Sequence, residues 1–308
     1  MSFFRTPESI REKRKLRLES IQHLLACPTC GDALEFSQAS CDCKNCAAHF
    51  PIQDFRIYFV APDESKYEFD SLKDRLRNFI GPYYRTIVDI VAPDFPALRT
   101  RDIRKNFDLS KDIVIDCGSG SQRINDKLIC LDFTDYEEVD IVCNITSRLP
   151  FADGVLDGST SWGVIEHLSD PVALVHELHR CTKDGAKTVN MIPFTYPFHA
   201  SPHDFFRYSD KGIALLFKGF EVTSISNPSG PISYLLLGIV EFASVILSFG
   251  NERLKGIVYL GLCALTFPIK LLDIPFINRK SFHGMAPCLV MVAKKIGGKT
   301  TSTNTPNS

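Results

Sequence analysis

The chain has 308 residues, 44% hydrophobic and 23% charged, with a formal net charge of −1 from 35 Lys plus Arg against 36 Asp plus Glu. That length suits about two domains, and the composition excludes a disordered or fibrous chain. Charge neutrality removes the global field that would draw a polyanion, so nucleic acid is not the default partner.

Residues 1–22 carry Arg5, Arg11, Lys13, Arg14, Lys15 and Arg17 against Glu8, Glu12 and Glu19. They predict a short, exposed, basic helix, either a solvated face or a contact for anionic lipid headgroups. No apolar stretch follows the basic residues as a secretory signal would require, so a reducing, cytoplasmic compartment is expected. Next, Cys27, Cys30, Cys41, Cys43 and Cys46 fall within 20 residues. The two C-x-x-C pairs, Cys27/Cys30 and Cys43/Cys46, can aim four thiolates at one structural zinc ion, and a segment as short as 23–60 needs such a staple. Cys41 and His49 are spare ligands ranked below these four.

Residues 61–110 have helical spacing interrupted at Gly81-Pro82, Pro93 and Pro96, and predict a helical linker. From 112 onward short β-rich runs (DIVIDC, KLICLD, VDIVC, LDGSTSWG, KTVNMI, FEVTSI, CLVMVAKK) alternate with helical ones, clearest over 171–181. This is the pattern of an α/β fold with a mainly parallel sheet, whose ligand belongs at the carboxyl ends of the strands. The first run ends Asp116-Cys117-Gly118-Ser119-Gly120, where glycines permit a tight turn and close ligand approach. Asp132 ends the next run, placed to hold a ribose, and Asn144-Ile145 follows the third. A nucleoside site without a Walker lysine is implied.

After strand six, Ile232 to Phe249 is apolar except for Glu241, and Gly256 to Ile269 is a second apolar run containing Pro268. The second run is too short for a two-pass span, so the pair predicts a helical hairpin over 232–283. Ser233, Glu241, Ser244 and Ser248 share one stripe and leave a wide apolar arc, suited to a membrane interface or a hydrophobic ligand. A homodimer interface or a buried core pair is the alternative. Residues 297–308 predict a disordered tail.

The stretches DCGSG, ICLD, LPFADGVLD, VIEHLSDPVALVHELHRCTKDG and PFTYPFHASPHDFFRYSDKGIALLF, within 112–226, resemble the class I S-adenosylmethionine-dependent methyltransferases. The resemblance implies a Rossmann-like sheet built from 111–231 and 284–296, with the apolar hairpin inserted between strands six and seven. It also implies that Asp116, Gly118 and Gly120 line the methionine side of S-adenosylmethionine and that Asp132 holds the ribose. Asn144 and Ile145 would flank the adenine, with Asn144 offering a hydrogen bond to its amino group. Trp162 would close strand four against the cofactor, ordinary core packing being its alternative. The chain departs from the family pattern at Gln122, where many members have a third Gly, and at Asn144, where Asp is common. The two knuckles followed by His49-Phe50-Pro51-Ile52 resemble the zinc ribbon of the tRNA-methyltransferase activator type, a structural or partner-binding module.

For acceptor chemistry the loop from His199 to Tyr208 is the richest segment. His199 or His203 is the expected general base, with Arg207 orienting an anionic acceptor or the loop; an Asp204–Arg207 pair clamping the loop is the alternative. His167, beside Glu166, is the next base candidate. Some quinone-biosynthesis O-methyltransferases use a comparable Glu-His as metal ligands with an upstream Glu, but Gly163 stands at that position, so no catalytic metal is expected. Ribbon, loop and apolar insertion together resemble bacterial methyltransferases associated with surface-glycan synthesis. They imply O-methylation of an amphiphilic or lipid-linked acceptor, glycan or quinone-like, by a peripheral protein on the inner membrane face. The alternatives are an RNA methyltransferase with zinc-ribbon recognition and a non-catalytic cofactor-binding adaptor.

Overall fold

The computed structural model describes residues 7–61, 80–95, 99–199 and 203–297. Seven strands form the body: β5 (Val114–Cys117), β6 (Ile129–Asp132), β7 (Ile141–Val142), β8 (Leu156–Trp162), β9 (Thr182–Pro193), β10 (Phe220–Ser226) and β11 (Cys288–Lys295). Their order is β7-β6-β5-β8-β9-β11-β10, with the first five mutually parallel and β11 antiparallel to both neighbours. A reversed last strand inserted between the fifth and sixth is the sheet of Rossmann-like methyltransferases, as expected.

Covering both faces requires apolar residues on both sides of each strand. On β5, Ile115 and Cys117 face a large cluster with Leu174 and Leu178, while Val114 faces Ile103, Phe107 and Trp162 on the other side. Leu174 and Leu178 belong to α4 (Pro171–Cys181), which starts where the Asp170 side chain accepts the Ala173 amide at 3.0 Å and Pro171 fills the first turn. Ile103 lies on α3 (Arg99–Asn106), the described end of the expected linker; residues 62–79 and 96–98 of that linker, and 298–308 of the expected tail, lie outside the described residues.

Four short strands precede the body: β1 (Leu34–Phe36), β2 (Ser40–Cys43), β3 (His49–Gln53) and β4 (Arg56–Tyr58). They form an antiparallel series that turns at Asp54 and Phe55, both at positive φ. β4 then pairs in parallel with β7, matching Ile57 to Ile141 and Tyr58 to Val142. The cysteine segment is therefore an extension of the central sheet, giving an 11-stranded order. Just before the first cysteine the Ala26 amide donates to Pro150 O, and the Ala152 amide donates to Leu24 O.

The basic segment forms α1 (Pro7–Ile21), whose charges divide between an exposed face and a buried one. Arg14 and Arg17 are buried: Arg17 donates through Nε and Nη2 to Asp140 at 3.0 and 2.9 Å, and Lys13 reaches Asp126 at 2.8 Å. Asp126 and Asp140 precede β6 and β7, so α1 docks at the amino edge of the sheet. The expected exposed helix is corrected at Arg14 and Arg17 alone, while Arg11, Glu12, Lys13, Lys15 and Glu19 stay on its exposed face; burying the two guanidinium groups is tolerated because a buried carboxylate and carbonyls await them.

The apolar insertion is α6 (Pro231–Leu247) and α7 (Glu252–Thr266), the latter continuing as 3₁₀ turns to Phe276. Its first two residues follow β10 and its last precede β11, so it stands at the carboxyl edge. Two buried charges anchor it. Asp273 accepts the Gly230, Ile232 and Ser233 amides at the start of α6 at 3.0, 2.8 and 2.7 Å. Lys270 donates to the carbonyls of Asp89, Ala92 and Asp94 at 3.1, 2.8 and 3.0 Å, at the end of α2 (Tyr84–Val91). Glu252–Phe276 is 25 residues long and contains an 18-residue window with a mean hydropathy of 1.8, enough by length and composition alone to cross a membrane, so the second run is longer than its sequence suggests.

The hairpin's polarity is inverted. Ser233, Ser244 and Ser248, with Leu236, Leu237 and Val240, are buried, while Leu235, Ile239, Phe242, Val245 and Ile246 are exposed and Phe249 is 92% accessible.

Candidate active site at the carboxyl edge

The end of β5 and the turn after it carry Asp116, Gly118 and Gly120 at one lip of the edge. Asp116 is buried, and burial lifts its carboxyl to about 7 against the pull of Arg99 and Arg123. Gly120, at φ +61°, has nothing within 4 Å of where a Cβ would stand, so its approach side is open space. Gly118 differs: a Cβ there would lie 2.6 Å from both Val164 methyls. Its glycine is demanded by the loop after β8 and by its φ of +67°, not by ligand room. Gly118→Ala is therefore expected to lower stability by about 1–3 kcal/mol, read as a drop in thermal midpoint.

Asp132, at the end of β6, accepts the Gly120 amide on Oδ2 at 2.8 Å and the Thr134 amide on Oδ1 at 2.9 Å, and burial raises its pKa. Each oxygen keeps a lone pair for a ribose hydroxyl. After β7, Asn144 Oδ1 accepts the amide and hydroxyl of Thr146 at 3.0 and 2.8 Å. The acceptor atom expected to meet the adenine amino group is already engaged, leaving the Nδ2 donors, which suit a ring nitrogen. Ile145 is buried beside it. Trp162 ends β8 inside a core cluster, yet its buried indole N–H has no hydrogen-bond partner among the described residues. Core packing, the alternative expected for it, is therefore what its surroundings show. The Arg99 guanidinium lies 5.9 Å from the Trp162 ring centroid; no motif in the linker announced it.

Across the edge, the loop after β9 sorts the expected catalytic residues. Asp204 and Arg207 form a bidentate pair, and Arg207 also donates to the carbonyls of Tyr196 and Pro197, both at 3.0 Å. Asp204 accepts the His199 amide at 2.8 Å, and its carboxyl is held well below the usual range by Arg207. This pair is the clamp, not a surface for acceptor. His203 contributes its backbone carbonyl to His167 Nδ1 at 2.5 Å while its ring packs near Phe205. His199 is the expected base that enters the site: its Nε2 lies 3.7 Å from Glu166 Oε1, as does that of His167.

At the other end of the sheet, Cys27, Cys30, Cys43 and Cys46 present sulfurs all within 4.8 Å of one another, with Cys27–Cys46 at 3.6 Å and Cys30–Cys43 at 3.4 Å. A tetrahedral zinc thiolate site needs roughly 3.8 Å between sulfurs, so the four fit one ion. The spare ligands do not join them. Cys41 is buried in the apolar core, its thiol pushed up to about 12, and His49 pairs with Asp42 at 2.5 Å.

Residues 115–189 match the family model described as methyltransferase domain. The chain carries a methyltransferase domain. No curated protein matches the sequence significantly. Similar solved structures include the [4+2]-cyclase SpnF, 14% identical, covering 65% of this chain and 80% of that one at a TM-score of 0.40. A chain from the Haloferax volcanii complex between the Trm112 methyltransferase activator and a methyltransferase is 17% identical and covers 78% of this chain and 99% of that one, at 0.40. Phosphoethanolamine N-methyltransferase 2 of Haemonchus contortus is 16% identical over 74% of this chain and 61% of that one, at 0.41. TM-scores this low add nothing to what the strand order already establishes.

Proposed function

We propose that the protein transfers the methyl group of S-adenosylmethionine to an oxygen of an amphiphilic or lipid-linked acceptor, glycan or quinone-like, held beneath the apolar hairpin. The carrying observation is the conjunction, at one sheet edge, of the open Gly120 turn, the two-lone-pair Asp132 carboxylate and the orphaned Trp162 indole with the His199–Glu166–His167 group opposite. When bound, the donor supplies an already activated sulfonium methyl, so the protein must mainly align the acceptor and accept its proton. Asp116 would face the donor's positive charge and Asp132 its ribose. Each histidine has Nδ1 against a backbone carbonyl, Pro197 O at 3.1 Å for His199 and His203 O for His167, which leaves its Nε2 lone pair toward the site.

The acceptor class rests on the hairpin. Tyr196, in the loop of His199, is half-buried, and desolvation, then nearby Asp94 and Tyr259 of α7, push its phenol well above the usual range. The hairpin thus lies against the catalytic loop while its outer side is apolar, more than a lone monomer leaves uncovered. A membrane interface on the inner face is the cover this reading chooses. The basic residues of α1 serve ion pairs at the opposite edge, which also leaves the RNA alternative without a basic surface there. In the same reading the four cysteines hold a structural zinc.

Label from the methyl donor, offered to cell extract, is expected in the organic-soluble fraction, and the protein is expected to float with liposomes. The test variant is Leu235→Asp with Phe242→Asp, both exposed; Leu236 is buried and would report folding instead. Label incorporated into RNA, or a dimer that ignores liposomes, would sink the acceptor assignment.

A further inference from the structure

We propose that Glu166, His167 and His199 bind a divalent transition cation. Sequence spacing argued against this because Gly163 occupies the position where a third ligand would stand on the same segment. The fold supplies the third ligand from elsewhere. His199, on the loop after β9, brings Nε2 to 3.7 Å from Glu166 Oε1, His167 Nε2 lies at the same distance, and all three ligand atoms fall within 4.8 Å of one another. A Cβ at residue 163 would lie 3.3 Å from that same Glu166 oxygen, so His199 converges on the carboxylate that residue 163 adjoins.

Three further observations point to an ion. Glu166 is 1% exposed, and its Oε2 is buried without a hydrogen-bond partner among the described residues, a costly state for a carboxylate with no cation beside it. Arg207 is near enough to be influenced by Glu166, but its hydrogen bonds go to Asp204 and to loop carbonyls. The second shell is also arranged for metal: each imidazole has Nδ1 on a backbone carbonyl, the usual device that fixes the tautomer and aims Nε2 at an ion. For His199 this carbonyl, at 3.1 Å, is nearer than the Arg207 Nη2 at 3.3 Å that competes for the same nitrogen. Finally, the site has an entrance, since the His199 side chain is 38% exposed.

Two imidazoles and one carboxylate suit zinc, iron or cobalt rather than magnesium or calcium, and leave coordination positions open. Ligand atoms around such an ion stand roughly 3.0–3.4 Å apart, so the side chains need to close by only a few tenths of an ångström at the two measured separations. The use of the site rests on the methyltransferase reading and replaces the histidines as bases within it: with both Nε2 lone pairs on the ion, an acceptor hydroxyl on an open position would release its proton to solvent more readily. Its oxygen would then form the new bond to carbon as the carbon–sulfur bond breaks and leaves sulfur neutral. The binding itself does not depend on that reading.

The experiment titrates cobalt(II) into full-length protein already loaded with one zinc, followed by calorimetry, with S-adenosylmethionine binding measured on the same samples. One further equivalent is expected in wild type, weakened at least 100-fold in Glu166→Gln and in His199→Ala and unchanged in His176→Ala. Melting temperature checks that the variants fold. Wild type taking no second equivalent, or Glu166→Gln and His199→Ala binding it equally well, would overturn the site. If donor binding persists in that case, the methyltransferase reading stands without the metal.

Discussion

Cys27→Ser is expected to abolish metal retention in the ribbon and lower the melting temperature by about 10 °C. The four sulfurs staple the 27–46 segment, whose small apolar content is a weak substitute, and structural zinc in such segments supplies about 10–16 kcal/mol when nothing else holds them. Here β4 remains paired with β7, so part of the ribbon survives and the net loss is smaller, of order several kcal/mol, or about 10 °C in a domain this size. The damage should also spread. The residues just before Cys27 are bonded to Pro150 and Ala152, beside Leu149 and Phe151, which share a core cluster with Ile145. S-adenosylmethionine affinity is therefore expected to fall several-fold along with proteolytic protection of 27–50. Metal analysis, calorimetry and limited proteolysis read the three effects, and a variant retaining wild-type zinc and melting temperature would refute the ribbon.

Asp132→Ala is expected to weaken S-adenosylmethionine binding by roughly 100-fold or more. Two hydrogen bonds to a carboxylate are together worth about 3–6 kcal/mol. The same change strips the acceptors from the Gly120 and Thr134 amides that shape the turn. Asp132→Asn, which keeps one acceptor, should lose less. The pH dependence belongs to Asp116, whose folded value of about 7 lies above its ordinary 3.8 because it is buried. Raised in this direction, it lets the free fold keep a proton that the unfolded chain releases, so its contribution to stability declines as pH rises from about 4 to 7. A cationic donor favours the ionised form, so affinity should climb over the upper part of that window and level off above it. Titration calorimetry between pH 5 and 8 checks the slope; a flat profile would remove Asp116 from the donor's charged end.

The sequence by itself determined the elements and much of the donor side. Strand runs such as DIVIDC and KLICLD are apolar on both faces because helices cover both, and the Asp116 turn and Asp132 must stand at strand ends because that is where the runs stop. The paired cysteines were equally legible, since a knuckle's geometry is local. What only the tertiary structure decided depends on which elements meet. Arg14 and Arg17 read as exposed because a charge run is ordinarily solvated, and nothing local shows Asp140 and the carbonyls that receive them. The serine stripe of α6 did not itself say which side would be covered; the fold buries it, with Asp273, 40 residues on, receiving the amides of the helix start. Asp204 and Arg207 carried the right residue types for chemistry but spend them on the loop. His199 meets Glu166 only because β9 runs beside β8 and brings their carboxyl ends together, a coincidence in space between residues 33 positions apart that no spacing rule contains.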